Sequence, residues 1–332
     1  LLEKVFPKVF PKVFPKVFIK GMYMKILVTG GNGMMGRTIK ELVDCDVCAN
    51  SANSANSANS ANVDSSFVFA TRAMCDLEDR DETHMFFHEN KFDYIIHLAA
   101  CVGGLYKNMS NNVEMFMKNI KINTNVVEAA HASGIKRGIF CLSSCIFPKK
   151  PALGFPMKEE IINDGAPHDS NKGYAYAKRM LFIMCAQYNQ QYDCKYTCLS
   201  PVNLYGPYDH FNSHDSHVIP EIIKRLYDTY THDYDDNTPP TLRRNMFEIY
   251  GTGAGMRQFL YAKDFARVIL EFAINENNIE LPQLINICGN NCEYTISEIV
   301  GKIFDIMKTH IESERGIALW YNDEYSDGIL KK

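Results

Sequence analysis

The run Lys25-Ile26-Leu27-Val28-Thr29-Gly30-Gly31-Asn32-Gly33-Met34-Met35-Gly36 constrains this chain more than any other stretch. Apolar residues that stop abruptly in glycine and resume as helix formers predict a strand, a tight turn and a helix start. Glycine at 30, 33 and 36 leaves backbone N–H groups open at the positive end of a helix dipole, with no Cβ in the way. A pyrophosphate requires that combination. Gly30, Gly31, Asn32, Gly33, Met34, Met35 and Gly36 are thus the first candidates for contact with a dinucleotide. The spacing is G-x-x-G-x-x-G, which differs from the G-x-G-x-x-G fingerprint. A glycine-rich hairpin is the competing reading, and the downstream residues decide between the two.

Around this stretch the chain is uneven. Residues Lys4 to Phe18 repeat Lys-Val-Phe-Pro, and a proline at every fourth position forbids a helix or a central strand, so 1–21 reads as a low-complexity, extended leader. The first helix is expected from Gly33 to Val43. A Ser-Ala-Asn repeat follows, and 49–62 reads as a polar surface insert unable to bury a core. The net charge of −4 offers no basic field for nucleic acid, and no apolar run approaches the ~20 residues of a membrane span. Eleven cysteines are spread along the chain, which favours reduced thiols in the cytoplasm over a disulfide framework and predicts no metal site.

The second strand, Ser66 to Ala70, delivers Arg72 to the place where an adenosine ribose should lie. An acid there binds ribose hydroxyls, whereas an arginine suits the additional phosphate of NADP. Ala73, Met74, Cys75, Asp76 and Leu77 follow, with Asp76 suited to an adenine edge. Phe92 to Leu98 reads as the third strand, with His97 a packed core histidine rather than a catalyst. Asn119 and Asn123 share a face of the helix Val113 to Ala132 and are expected to anchor neighbouring backbone. A fourth strand, Gly138 to Leu142, hands over Cys141, Leu142, Ser143, Ser144 and Cys145 at its C-terminal end, where open α/β sheets bind ligands. Finally, Tyr174-Ala175-Tyr176-Ala177-Lys178 places a tyrosine and a lysine one helical turn apart on one face. A cationic lysine there is expected to lower the tyrosine pKa from about 10.

Taken in order, the glycine turn, His97-Leu98-Ala99-Ala100-Cys101-Val102-Gly103-Gly104, Leu142-Ser143-Ser144-Cys145-Ile146-Phe147-Pro148, Gly173-Tyr174 to Lys178 and Pro201-Val202-Asn203-Leu204-Tyr205-Gly206-Pro207 resemble the extended short-chain dehydrogenase/reductases. Ser216-His217-Val218-Ile219-Pro220 and the stretch from Gly251-Thr252-Gly253 to Met256-Arg257-Gln258-Phe259 narrow the resemblance to members that epimerise and reduce GDP-4-keto-6-deoxy-D-mannose with NADPH. The resemblance implies a cytoplasmic homodimer built on a Rossmann-type doubly wound parallel sheet, with a smaller C-terminal substrate lobe. It implies that Ser143, Tyr174 and Lys178 serve the ketone, and that Cys145 and His217 move protons on the two faces of the sugar. Cofactor contacts extend to Pro201, Val202, Asn203, Leu204 and His217, and substrate contacts to Arg225, Tyr250, Arg257 and Asp327.

The expected domains are a Rossmann unit at 22–205, joined again by segments near 246–275, and a lobe from 206–245 and 276–332. Relatives normally continue beyond Lys332, so a truncated lobe is part of this expectation. Two alternatives share much of the pattern. One is another nucleotide-sugar epimerase or 4,6-dehydratase, against which Arg72 and the Cys145 and His217 pair argue. The other is a catalytically silent NADP-binding protein.

Overall fold

Lys25–Thr29 forms β1, in which Ile26, Leu27 and Val28 are wholly shielded from solvent. Alternate side chains point to opposite faces, so Ile26 and Val28 enter one core and Leu27 the other. Both faces are covered, as an all-parallel sheet requires. Each such side chain contributes about 1.5–3 kcal/mol by its removal from water. The computed structural model describes residues 24–53, 66–149, 154, 156–211, 216–231, 249, 251–275, 280–290 and 292–315. The Lys-Val-Phe-Pro leader, most of the Ser-Ala-Asn repeat, Tyr250 and Asp327 lie outside these residues.

The main sheet holds β2 (Ser66–Ala70), β1, β3 (Tyr94–His97), β4 (Arg137–Cys141), β5 (Lys195–Pro201) and β8 (Leu284–Ile287), in that spatial order and all parallel. Helix α2 (Arg80–Asn90) follows β2, the short α3 (Leu105–Ser110) and α4 (Asn112–Ala132) follow β3, and α5 (Lys172–Tyr192) follows β4. Leu27, Ile95, Phe140 and Cys198 of the sheet form one core with Phe87, Val126 and Leu181 of these helices. The opposite core joins Ile26, Val28, Ile96 and Ile139 to α1 (Met34–Asn53) and α7 (Ala262–Asn275), through Ile39, Phe265 and Ile269. This is the doubly wound Rossmann-type sheet expected from the alternating pattern.

A second sheet is smaller. It pairs β6 (Asn203–Tyr205) with β7 (Met256–Tyr261) in parallel and β7 with β9 (Glu293–Thr295) antiparallel. Helices α6 (Val218–Thr231) and α8 (Ile296–Arg315) close over it through Ile219, Ile222, Ile299 and Ile303.

Three boundaries differ from expectation. The segment 276–332, assigned to the lobe, supplies β8 to the main sheet, because Cys198 to Pro201 leave a free strand edge that Leu284 to Ile287 pair with. Within the described part of 246–275, α7 packs on the main sheet, whereas β7 pairs in the small sheet and divides its side chains, Leu260 entering the main core and Phe259 and Tyr261 the small one. The first helix runs on to Asn53, into the Ser-Ala-Asn repeat, since a helix satisfies its backbone locally and needs no core to continue. Among the described residues, no helix is long and apolar enough to cross a membrane.

Candidate active site

The chain passes from β1 outward to β2 and then back past β1 to β3, so the strand order reverses between the C-terminal ends of β1 and β3. Ligands bind open α/β sheets at such a point. A cavity of about 500 Å³ opens there. On one side it is lined by Gly30, Gly33, Met34, Met35 and Gly36, at the start of α1. Gly30 adopts φ +74°, and a Cβ on it would fall 2.9 Å from the Ala99 nitrogen. A Cβ on Gly36 would fall 2.4 Å from the Gly30 oxygen. Glycine at these two positions therefore lets the turn close against the end of β3 and the start of α1, and the backbone it brings to the cavity wall fits a pyrophosphate lying against a helix terminus.

Beneath the cavity a polar relay joins four elements. The backbone N–H groups of Leu98 and Ala99 donate to Thr29 Oγ1 at 3.1 and 3.2 Å, which fills its two lone pairs. The Thr29 hydroxyl must then donate to His97 Nδ1, 2.8 Å away. That leaves Nε2–H to donate to Asn123 Oδ1 at 3.2 Å, and Asn123 Nδ2 to donate to the Ala177 carbonyl at 3.2 Å. His97 is fully buried, and burial, assisted by the Lys178 charge, lowers its pKa to about 3. It is the neutral packed histidine expected from sequence. Asn119 likewise bonds both backbone groups of Cys101, at 2.9 Å each, and holds the loop after β3.

On the other side of the cavity stand Cys141, Leu142, Ser143 and Ser144 from the end of β4, with Tyr174 and Lys178 from α5. Ser143 is extended and starts the short turn Ser144–Ile146, its hydroxyl accepting the Cys145 N–H at 3.5 Å. Lys178 is 1% exposed and donates from Nζ to the Cys141 carbonyl at 2.7 Å. Burial lowers its pKa. Burial also raises the Tyr174 pKa well above its ordinary value, with the nearby thiols of Cys145, Cys141 and Cys101 adding to the rise. The expected lowering of the tyrosine pKa by Lys178 is thus reversed here, because desolvation of the phenolate dominates. Tyr174 enters the site as a phenol, the form that can give a proton away.

Cys145 does not line the cavity, although its neighbours Ser143 and Ser144 do. Burial pushes its thiol up to about 11, against the opposing pull of Ser143 and Lys178. It is held as the thiol rather than poised at an unperturbed cysteine pKa of about 8.5. His217 lines the cavity from the lobe side, with Nδ1 3.6 Å from Asp209 Oδ1.

Arg72 lines the adenosine end, where it pairs with Asp76 Oδ2 at 3.0 Å and Glu78 Oε1 at 3.3 Å. The bond to Asp76 chiefly raises its pKa, so a fixed positive charge stands there. Cys75, Asp76, Leu77, Pro201, Val202, Asn203 and Leu204 share the lining. Four expected contacts do not. Gly31 is buried against Phe69 and spends its N–H on the Ala70 carbonyl, while Asn32, Ala73 and Met74 are exposed. Arg225 on α6 and Arg257 on β7 lie in the lobe and outside this lining. Sequence reasoning overlooked Glu78, Asn108, Lys118, Asp209 and His210, which all line the cavity. Asn108 had a readable signal: a glycine pair needs an anchor, and its Nδ2 donates to the Gly103 and Gly104 carbonyls at 2.6 and 3.0 Å.

Residues 26–288 match the model of the NAD dependent epimerase/dehydratase family. GDP-L-fucose synthase of Dictyostelium discoideum is 36% identical over 307 residues, which cover 92% of this chain and 85% of that protein. GDP-L-colitose synthase of Yersinia pseudotuberculosis is 31% identical over 87% of this chain and 84% of its own length. The crystal structure of a GDP-L-fucose synthetase from Naegleria fowleri bound to NADP superposes with a TM-score of 0.71 at 30% identity, covering 92% of each chain. The turn, relay and sheet thus sit in a framework shared with these proteins, and the chain belongs to the NAD dependent epimerase/dehydratase family, among its members similar to GDP-L-fucose synthases.

Proposed function

We propose that the protein binds NADPH and converts GDP-4-keto-6-deoxy-D-mannose to GDP-L-fucose by epimerisation at C3 and C5 and reduction at C4. The observation that carries this reading is one cavity lined by the glycine turn, Arg72, Ser143, Tyr174, Lys178 and His217 together. The relatives named GDP-L-fucose synthase, and the NADP-bound relative, support the choice of substrate and cofactor.

When bound, NADPH supplies the hydride for C4. Gly30, Gly33 and Gly36 cradle its pyrophosphate, Arg72 pairs with its 2′-phosphate, and Lys178 holds the nicotinamide ribose. Ser143 and Tyr174 hydrogen-bond the ketone oxygen, and Tyr174 gives up its proton there as charge develops. The same two donors stabilise an enolate, which acidifies the C–H bonds at C3 and C5. Inversion needs a proton removed on one face and returned on the other, and Cys145 and His217 exchange those protons. Arg225, Tyr250, Arg257 and Asp327 contact the substrate, Arg225 at its diphosphate.

The protein works as a cytoplasmic homodimer in this reading. Val113 and Met117 on α4 and Met180 and Ile183 on α5 are exposed apolar side chains on two helices that pack together, a face suited to a second copy. The cysteines whose side chains are described are free thiols, as a reducing compartment favours.

The test is incubation with NADPH and GDP-4-keto-6-deoxy-D-mannose, with the product identified by NMR. GDP-L-fucose is the expected product. A C4-reduced sugar with C3 and C5 unchanged, or no turnover, overturns the assignment.

A further inference from the structure

Asp209 is a buried carboxylate at the edge of the cavity, its side chain only 4% exposed. Oδ1 accepts the His210 N–H at 2.8 Å and lies 3.6 Å from His217 Nδ1. Among the described residues, Oδ2 is buried with no hydrogen-bond partner. A buried carboxylate oxygen left bare is costly unless a cation or donor comes to it.

The backbone beside it is forced into place. Tyr208 adopts φ +68°, the left-handed region that a bulky residue enters only under constraint. The Arg37 guanidinium lies 4.0 Å from the Tyr208 ring centroid, and the Tyr208 hydroxyl lies 3.4 Å from Glu41 Oε2. Glu41 is itself tied to Lys263 of α7 at 2.7 Å. Arg37 and Glu41 belong to α1, the helix that begins at the glycine turn. The strained turn is therefore clamped to the cofactor half of the molecule, and the residue it aims inward is Asp209.

We infer that Asp209 is a positioning residue for His217, holding the imidazole with Nδ1 protonated and facing the carboxylate so that Nε2 exchanges protons with the ligand. A carboxylate behind an imidazole fixes its tautomer and ring orientation, and it stabilises the imidazolium once a proton arrives. The use of the pair in catalysis rests on the function proposed above, but the tautomer does not.

The test is ¹⁵N NMR of the full chain labelled at histidine, with the His217 resonances identified by their loss in His217→Gln. The expected wild-type spectrum shows the Nδ1–H tautomer, and Asp209→Asn shifts it toward Nε2–H. Deuterium incorporation into the sugar at C3 and C5 should fall roughly 10- to 100-fold in Asp209→Asn, with partial recovery in Asp209→Glu. A wild-type Nε2–H tautomer, or a tautomer unmoved in Asp209→Asn, overturns the inference; the wild-type spectrum decides even if the variant does not fold. If the tautomer behaves as expected but the wild-type chain exchanges no deuterium, the positioning stands and the proposed substrate is wrong.

Discussion

The ammonium of Lys178 donates to the Cys141 carbonyl across 2.7 Å and so ties α5 to the end of β4. The bond sets Lys178 against the end of β4, just before Ser143 in the chain, on the helix face it shares with Tyr174. It also keeps a charge where burial works against it.

Stability and activity should therefore separate at this position. Lys178→Met keeps the aliphatic stem, removes the buried charge and leaves one carbonyl unpaired. Its melting temperature should stay within ~4 °C of wild type, because these two effects oppose each other. Turnover should fall by roughly 100-fold or more, since cofactor placement and proton delivery both depend on the ammonium. Differential scanning calorimetry beside NADPH oxidation checks this. A stable variant with retained turnover would show that the lysine is only a strut.

At the other end of the cavity, Arg72 is 71% exposed and shared between Asp76 and Glu78. A 2′-phosphate must compete with both carboxylates for it. NADPH should bind more tightly than NADH, and Arg72→Ala should erode that preference. Glu78→Gln should tighten NADPH by removing one competitor, an effect that shrinks as salt screens it. Fluorescence titration at two ionic strengths reads all three. Equal affinity of the unmodified chain for the two cofactors would refute the role given to Arg72.

Much of this was readable from the chain because it depends on local rules. The glycine turn, the Tyr174 and Lys178 spacing, and Ser143 at a strand end each follow from short-range geometry, and the fold delivered each to the one cavity. What could not be read depends on packing. The pKa of Tyr174 and that of Cys145 both rise because burial takes them out of water, and no spacing encodes that. Asp209 was missed because its partner His217 lies further along the chain, and only the fold brings them within 3.6 Å. The sixth strand was missed for a similar reason: Leu284 to Ile287 look like a lobe segment until the β5 edge is seen to need a partner.

His97 makes the acid limb of the stability curve testable. Its folded pKa of about 3 lies below the unfolded value of about 6.5, so the unfolded chain binds a proton first as pH falls. The sign follows: this contribution is complete above pH ~6.5 and is lost as pH drops toward 3, by about 2 kcal/mol between pH 7.5 and 5. His97→Gln preserves one acceptor for Thr29 and one donor for Asn123 but has no titration. Urea unfolding should show the variant less stable than wild type at pH 7.5, with the gap closing by about that amount at pH 5. A gap independent of pH would mean that His97 is not held neutral.

The last prediction separates reduction from epimerisation in the one site. Tyr174→Phe removes the proton donor for the C4 oxygen, so reduction should fail, while Ser143 alone still polarises the ketone enough for some exchange at C3 and C5. Cys145→Ser should impair inversion more than it impairs NADPH binding, because none of the cofactor contacts is assigned to Cys145. His217→Ala should lose most exchange. In D₂O without NADPH, mass spectrometry of the recovered sugar reports deuterium at C3 and C5, and the variant that loses incorporation altogether has lost the base. The thiol adds an independent check. With its pKa at about 11 in the ligand-free site, Cys145 should react slowly with iodoacetamide at pH 7.5, and faster as pH climbs toward that value. Exchange undiminished in both the Cys145 and His217 variants would remove these two residues from the chemistry. It would leave the two carbons to be inverted by groups that the cavity acquires only when the sugar is bound.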